Sequence, residues 1–226
     1  MAHIHLEDGS FTLTWVLVWW VIALALIGII LWSLRPSGKR DRKLITIAAF
    51  LTAAAFAVSQ IEIPLFGGIH MNLTPLIGIL AGPVLGTLVV LITNILSAAI
   101  GHGGWGLIGA NVLVNLSEVA VAYLIFRGVR KLIPDLFSRA AIATFTGLFC
   151  GNLVMVVIIL MSGIQGVTQT TDQVLAGLSL IIAVNLVVAV LEAIFTGLIV
   201  RYIGKIRPDI LGMGRENPQK GKQGNT

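Results

Sequence analysis

Long apolar runs separated by short polar breaks govern the chain. The run "WVLVWWVIALALIGIILW" (Trp15 to Trp32) holds about 18 residues without a charge, enough for a helix to cross about 30 Å of hydrocarbon. Similar patterning predicts spans over 14–34, 44–60, 74–82, 84–100, 107–126, 140–161 and 174–203. The third is the weakest. "TPLIGILA" is too short to cross alone and runs into "GPVLG", which suits a half-helix or a re-entrant hairpin. The expected fold class is all-α: a polytopic membrane protein of about seven transmembrane helices, one short or re-entrant. Residues 1–203 form one transmembrane domain with an outer N-terminal segment, 1–13, and residues 204–226 form a polar tail. No internal repeat is evident.

Composition strengthens this reading. Hydrophobic residues make up 57% of the 226 and charged residues 11%, against about a quarter charged in soluble domains. The first run is expected to be retained, because no basic residue precedes it and "RPSGKRDRK" rather than a small-residue cleavage site follows it. All 15 Lys and Arg fall in three groups: Arg35 to Lys43, Arg127 to Arg139, and Arg201 to Lys222. The positive-inside rule makes these groups cytoplasmic. The assignment is self-consistent with seven crossings, the N-terminus outside and the C-terminus inside. Six crossings would put "SQIEIPLFGGIHMN" and "GHGGWG", both free of basic residues, on opposite sides. The net charge of +5 therefore reports topology, and no nucleic-acid partner is implied. A single cysteine, Cys150, excludes an intrachain disulfide framework or thiolate cluster.

This topology gathers His3, His5, His70 and His102 at the outer face. In "MAHIH", a free amine followed closely by histidine can form linked chelate rings. Amine, deprotonated amide and imidazole nitrogens then share a plane, and such donor sets select Cu(II) or Ni(II). If Met1 is kept, Met1-Ala2-His3 fills all four positions. If Met1 is removed, Ala2-His3 supplies three donors, and His5 or His70 can supply the fourth. The plain alternative is a polar terminus. In "FGGIHMNLTP", Gly67-Gly68 permits irregular backbone and Pro75 can begin a helix, so His70 is either a ligand or an interfacial loop residue. In "GHGGWGLIGANVLVN", His102 can orient a ligand from behind, or simply sit in a glycine-rich turn with Trp105 as membrane anchor.

Glu118 and Glu192 lie within apolar runs, where an acid is expensive unless paired or functional. They can form a cation pathway, or they can bond a neighbouring helix or a partner subunit; the second fits better, since neither lies near the outer face. Asn94, Asn111, Asn115, Asn152 and Asn185 suit interhelical hydrogen bonding. No "GxxxxGK[ST]" loop is present, so the chain is not expected to hydrolyse ATP, and it is not read as an enzyme. Two competitors remain. A self-sufficient secondary metal transporter is disfavoured by few embedded charges and no inverted repeat. A membrane enzyme or assembly protein using the histidines as a cofactor site is disfavoured by the lack of an H-E-x-x-H helix.

Three stretches carry a resemblance. "HLEDGSF", "GGIHMNLTPLIGILAGP" and "GHGGWGLIGANV" resemble the opening, the ligand loop and the "HGGxxxLGAN" stretch of the CbiM/NikM family, the substrate-capture membrane subunits of energy-coupling factor (ECF) cobalt/nickel transporters. The similarity runs to about residue 126. It implies that the N-terminus tucks into the bundle from outside, so that Met1 or Ala2, a terminal histidine and the loop histidine His70 bind Co2+ or Ni2+ in a plane. By spacing to Gly9 the terminal histidine is His5, yet three extra residues separate His5 from the chain start, and His3 is the one adjacent to the amine once Met1 is gone. His102 and Asn111 take supporting roles. The resemblance further implies a prokaryotic cell-membrane location, no permanently bound cofactor, and partners: a transmembrane coupling subunit, ATP-binding cassette ATPases and a small additional membrane subunit.

Overall fold

A computed structural model of the chain describes residues 9–33, 42–60, 62–63, 69–101, 103–164 and 171–211. Six α-helices are found among them: α1 (Leu13–Ser33), α2 (Arg42–Ser59), α3 (Thr74–Ala99), α4 (Ile108–Gly128), α5 (Leu136–Ser162) and α6 (Thr171–Ile206). A short antiparallel ribbon, β1 (Glu62–Ile63) with β2 (Ile69–His70), joins α2 to α3 and pairs Glu62 with His70. Gly67 and Gly68, where irregular backbone is expected, lie outside the described residues, and the sequence pattern does not announce the pairing on either side of them. Five helices are long and apolar enough to cross a bilayer, and Thr46–Ser59 of α2 is a shorter apolar helix.

The segments expected as separate spans 74–82 and 84–100 emerge as one element broken at Gly82, whose φ of 71° and ψ of 179° are non-helical. That region of backbone space is essentially reserved for glycine, and the following Pro83 disfavours helical geometry at the preceding residue. The break folds the element back on itself. In a continuous helix, residues nine apart are separated by about 13.5 Å along the axis. Here a Cβ built on Gly86 would lie 3.5 Å from Ile77 Cγ2. The first limb is thus a short helical arm of about 12 Å, and the second runs back beside it. At the turn, Gly82 packs on Tyr123 of α4, whose ring carries the Arg127 guanidinium 5.3 Å from its centroid.

Helix α4 is the central post. It packs most extensively on α3, α5 and α1, and α6 packs on α5. Toward the N-terminal ends of α1 and α4, Trp19, Ala23, Leu107, Ile108 and Val112 share a core with Met155 and Ile158 of α5. There Trp19 Nε1 donates to Ser162 Oγ at 2.8 Å. At the opposite end, Phe126, Ala140, Ala143, Val200 and Leu211 form a second core, and the Arg139 guanidinium lies 4.3 Å from the Phe126 ring centroid. The basic residues Arg127, Arg130, Lys131, Arg139, Arg201 and Lys205 therefore gather at one end of the bundle, as their sequence grouping implied. Asp135 caps α5 there by accepting from the Ser138 amide at 2.8 Å and its hydroxyl at 2.7 Å. Those two donors hold its carboxyl below the usual carboxylate range.

Contact between α4 and α5 runs through small residues. Gly147 and Gly151, one turn apart, face the Glu118 and Ala122 turn of α4, the close-approach spacing that serves helix association where no hydrophobic force operates between helices. The outer faces of α1 and α6 carry exposed Leu17, Val21, Leu180, Val187 and Leu191, as lipid-facing helices require.

Candidate functional site

Polar side chains meet in the middle of the bundle, at a single loop residue. Asn72 lies two positions after His70 and two before Thr74, the first residue of α3. Its backbone N–H donates to Glu192 Oε1 of α6. Its side-chain Nδ2 donates to Glu118 Oε2 at 2.8 Å and to Asn115 Oδ1 at 3.3 Å, both on α4. Its Oδ1 accepts from the Thr74 hydroxyl. The backbone carbonyl of Asn72 accepts from the Thr74 N–H at 2.7 Å. One asparagine thereby ties α3, α4 and α6 together.

Local sequence explains how each partner arrives. Asn115 and Glu118 are three residues apart and share a face of α4. Glu118 reaches the cluster because Gly151 leaves room for it: a Cβ there would stand 2.6 Å from Glu118 Cγ and 2.9 Å from Cδ. Pro75 starts α3 without needing the amide hydrogen bonds of an interior turn. Glu118 is fully buried and Glu192 is 2% exposed. Glu118 Oε1 and Glu192 Oε2 are buried without a hydrogen-bond partner among the described residues.

Beyond this knot, Asn185 Nδ2 of α6 donates to Asn152 Oδ1 of α5 at 2.7 Å, the interhelical bond expected of those residues. Asn94 behaves differently: its Nδ2 bonds the Val90 carbonyl of its own helix at 2.8 Å. Asn111 is buried on α4 one turn before Asn115. Of the expected donors, Met1, Ala2, His3, His5 and the supporting His102 lie outside the described residues. His70 is placed by its backbone, in β2 opposite Glu62, and its side chain lies outside the description. Among the described residues no group of three or more His, Cys, Asp or Glu is arranged to hold a metal ion. A lipid-side groove of about 630 Å3 between α1, α4 and α5, lined by Trp15, Trp19, Leu113, Leu116, Leu153 and Ile158, is apolar and separate from the knot.

Sequence reasoning singled out Glu118, Glu192 and Asn115 but not Asn72. The available signal was its position, a polar residue wedged between a candidate ligand and a helix-starting Thr-Pro.

Comparison with known proteins identifies this architecture. Residues 5–210 match the family model "CbiM: Cobalt uptake substrate-specific transmembrane region". The chain belongs to the CbiM family. The match extends through α5 and α6, well beyond residue 126 where the motif resemblance ended. A CbiM relative from Methanocorpusculum labreanum, named putative cobalt transport protein CbiM 1, is 28% identical over 216 residues, covering 92% of this chain and 91% of that one. A fused protein from Archaeoglobus fulgidus, named putative fused nickel transport protein NikMN, is 26% identical over 92% of this chain and 68% of its own. The CbiM fold recurs in a solved transition metal transporter with a TM-score of 0.76 and 20% identity, covering 90% of this chain and 93% of that one. Family and relatives place the chain among the multi-pass membrane components of cobalt- and nickel-type transport, and its relatives are named as transport proteins rather than enzymes.

Proposed function

We propose that this CbiM-family chain is the substrate-capture subunit of an ECF-type importer for cobalt or nickel. It takes the divalent ion at the outer face of the cell membrane through the N-terminal amine and amide of Met1 or Ala2, the imidazole of His3 or His5, and the loop imidazole of His70. Co2+ or Ni2+ is cargo, exchanged from water onto nitrogen donors and later released. His102 and Asn111 support the ligand shell, and residues 1–203 act as one capture domain. Energy comes from a transmembrane coupling subunit and ATP-binding cassette ATPases, with a small additional membrane subunit as a further partner. The N-terminus lies outside and the C-terminus inside, with the two limbs of α3 counted separately to give seven passages.

The observation that supports this reading best is the Asn72 knot. It anchors the chain two residues from His70 in the protein interior, as a loop that presents a ligand requires. Irregular backbone at membrane depth is tolerated where it is buried in protein or lines a cavity, and Asn72, itself half-buried, is bonded there to the buried Asn115, Glu118 and Glu192. The clustering of Arg127, Arg130, Lys131, Arg139, Arg201 and Lys205 at the opposite end supports the orientation.

The test is chemical blocking of the terminus. Chelate rings need a free amine one or two residues from the histidine. Acetylating the amine, or adding residues ahead of Ala2, is expected to abolish tight Ni2+ binding while leaving every side chain in place. Tight binding by an N-terminally extended protein refutes the terminal ligand set. In the same titration, His3→Ala and His5→Ala decide which histidine chelates.

A further inference from the structure

We propose that Glu118 and Glu192 are positioning residues for the loop donor: acting through Asn72, they hold His70 at the depth and orientation that metal capture needs. The inference rests on the reading of His70 as an ion donor and assigns a task to two buried acids that this reading leaves idle.

Two carboxylates inside a membrane domain are costly and call for a reason. Both acids accept from one residue: Glu192 Oε1 takes the Asn72 backbone N–H, and Glu118 Oε2 takes Asn72 Nδ2 at 2.8 Å. Asn115 Oδ1, at 3.3 Å, takes the same Nδ2 from the adjacent turn. The acids come from two different helices, α4 and α6, so the loop residue is held from two sides. A buried donor left without its acceptor is costly, and here both bonds run from packed helices to the short stretch between β2 and α3.

Distance makes the clamp effective. Two residues of extended chain span about 7 Å, so the His70 Cα cannot stray far once Asn72 is fixed. The other side of His70 is held by its pairing with Glu62 across the ribbon. A ligand held from both directions loses less freedom on binding, and a planar site tolerates little tilt of its imidazole. Outer partners that orient metal ligands typically change affinity 10–100-fold when removed.

The competing role for the two acids is direct use of their charge on the ion, as stations along its path. Glutamine separates the two roles, because it keeps an oxygen that accepts from Asn72 and removes the charge. The experiment uses the full chain, untagged at its N-terminus, in detergent micelles, titrated with Ni2+ and followed by the visible d–d absorption of the bound ion. Asn72→Ala is the deciding variant, since it lies in the loop and leaves every helix residue in place. It is expected to lower Ni2+ affinity about 10–100-fold and to shift the d–d band. E118Q and E192Q are expected to stay within about threefold of the parent with an unchanged band, whereas E118A is expected to behave like Asn72→Ala. Parent-like affinity and absorption in Asn72→Ala overturns the clamp. Loss of binding in E118Q or E192Q with Asn72→Ala intact also overturns it, in favour of direct charge. His70→Ala reads the underlying assignment separately: unchanged affinity and band in that variant defeats His70 as a donor, whatever the acids do.

Discussion

Gly151→Ala adds one methyl group where the structure has no room for it. The new Cβ would lie 2.6 Å from Glu118 Cγ and 2.9 Å from Cδ, whereas carbon atoms rest at about 3.5–4.0 Å. Relief requires the Glu118 side chain to retreat by about 1 Å. The Asn72 Nδ2 to Glu118 Oε2 bond, 2.8 Å in the structure, then stretches to about 3.8 Å, beyond any useful hydrogen bond. Leaving the Asn72 donor unsatisfied costs about 1–3 kcal/mol, and overpacking a core adds about 1–3 kcal/mol. Against this, alanine restores at most about 1 kcal/mol of helix propensity over glycine. The clash wins, and a net loss of about 1–5 kcal/mol is expected. Part falls on stability, read as a lower unfolding temperature in detergent. Part falls on metal capture, read as an affinity loss of tenfold or more in a Ni2+ titration. Gly151→Ala with the parent's unfolding temperature and the parent's affinity would refute both the tight α4–α5 approach and the link from Glu118 to the loop.

Three further outcomes follow from the same geometry. Gly78→Ala drives a Cβ to 2.5 Å from the Val119 carbonyl oxygen and 3.0 Å from its Cα; backbone cannot step aside as a side chain can, so thermal unfolding should show a destabilisation of about 2 kcal/mol or more, and a stabilised variant would break the assigned α3–α4 packing. Cysteines placed at Ser10 and Thr170 in a Cys150→Ser background should react with an impermeant maleimide from outside and one at Gly221 only from inside, whereas outside labelling at Gly221 overturns the seven-passage orientation. Zn2+ prefers tetrahedral donors and should bind more weakly than Ni2+ to a planar nitrogen set, so ready displacement of Ni2+ by equal Zn2+ in a competition titration would count against planarity.

The apolar runs by themselves determined the helices. A stretch such as Trp15 to Trp32 has one stable state in hydrocarbon, where every backbone amide must be satisfied within the segment, and its boundaries in α1 fall within a residue or two of those expected. The same holds for α2 and α4, whereas α5 starts at Leu136, four residues before the expected 140, and the grouping of basic residues at one end of the bundle follows from charge that cannot remain in lipid. The local motifs around His70 and the "GHGGWGLIGAN" stretch were legible as family features, because a glycine-rich loop and the histidine proposed as a ligand sit within a few consecutive residues. Residues 74–99 were only half legible. "AGPVLG" announced a break, but whether the limbs continue or double back depends on the Gly82 backbone, and the approach of Gly86 to Ile77 decides it.

Glu118 and Glu192 mark the limit most clearly. Hydropathy identified both as anomalous, yet a carboxylate's role is set by whichever group it meets, and their common partner is 46 and 120 residues away along the chain. Asn72 gave no such warning, since an asparagine before Thr-Pro is unremarkable turn chemistry. Only the packing of α4 against α5 at Gly151, together with the return of α6 to the centre, brings these three residues to one point. Periodicity reports which face of an element is apolar; it carries no record of which distant polar groups will share a buried volume, because that pairing is a property of the assembled bundle.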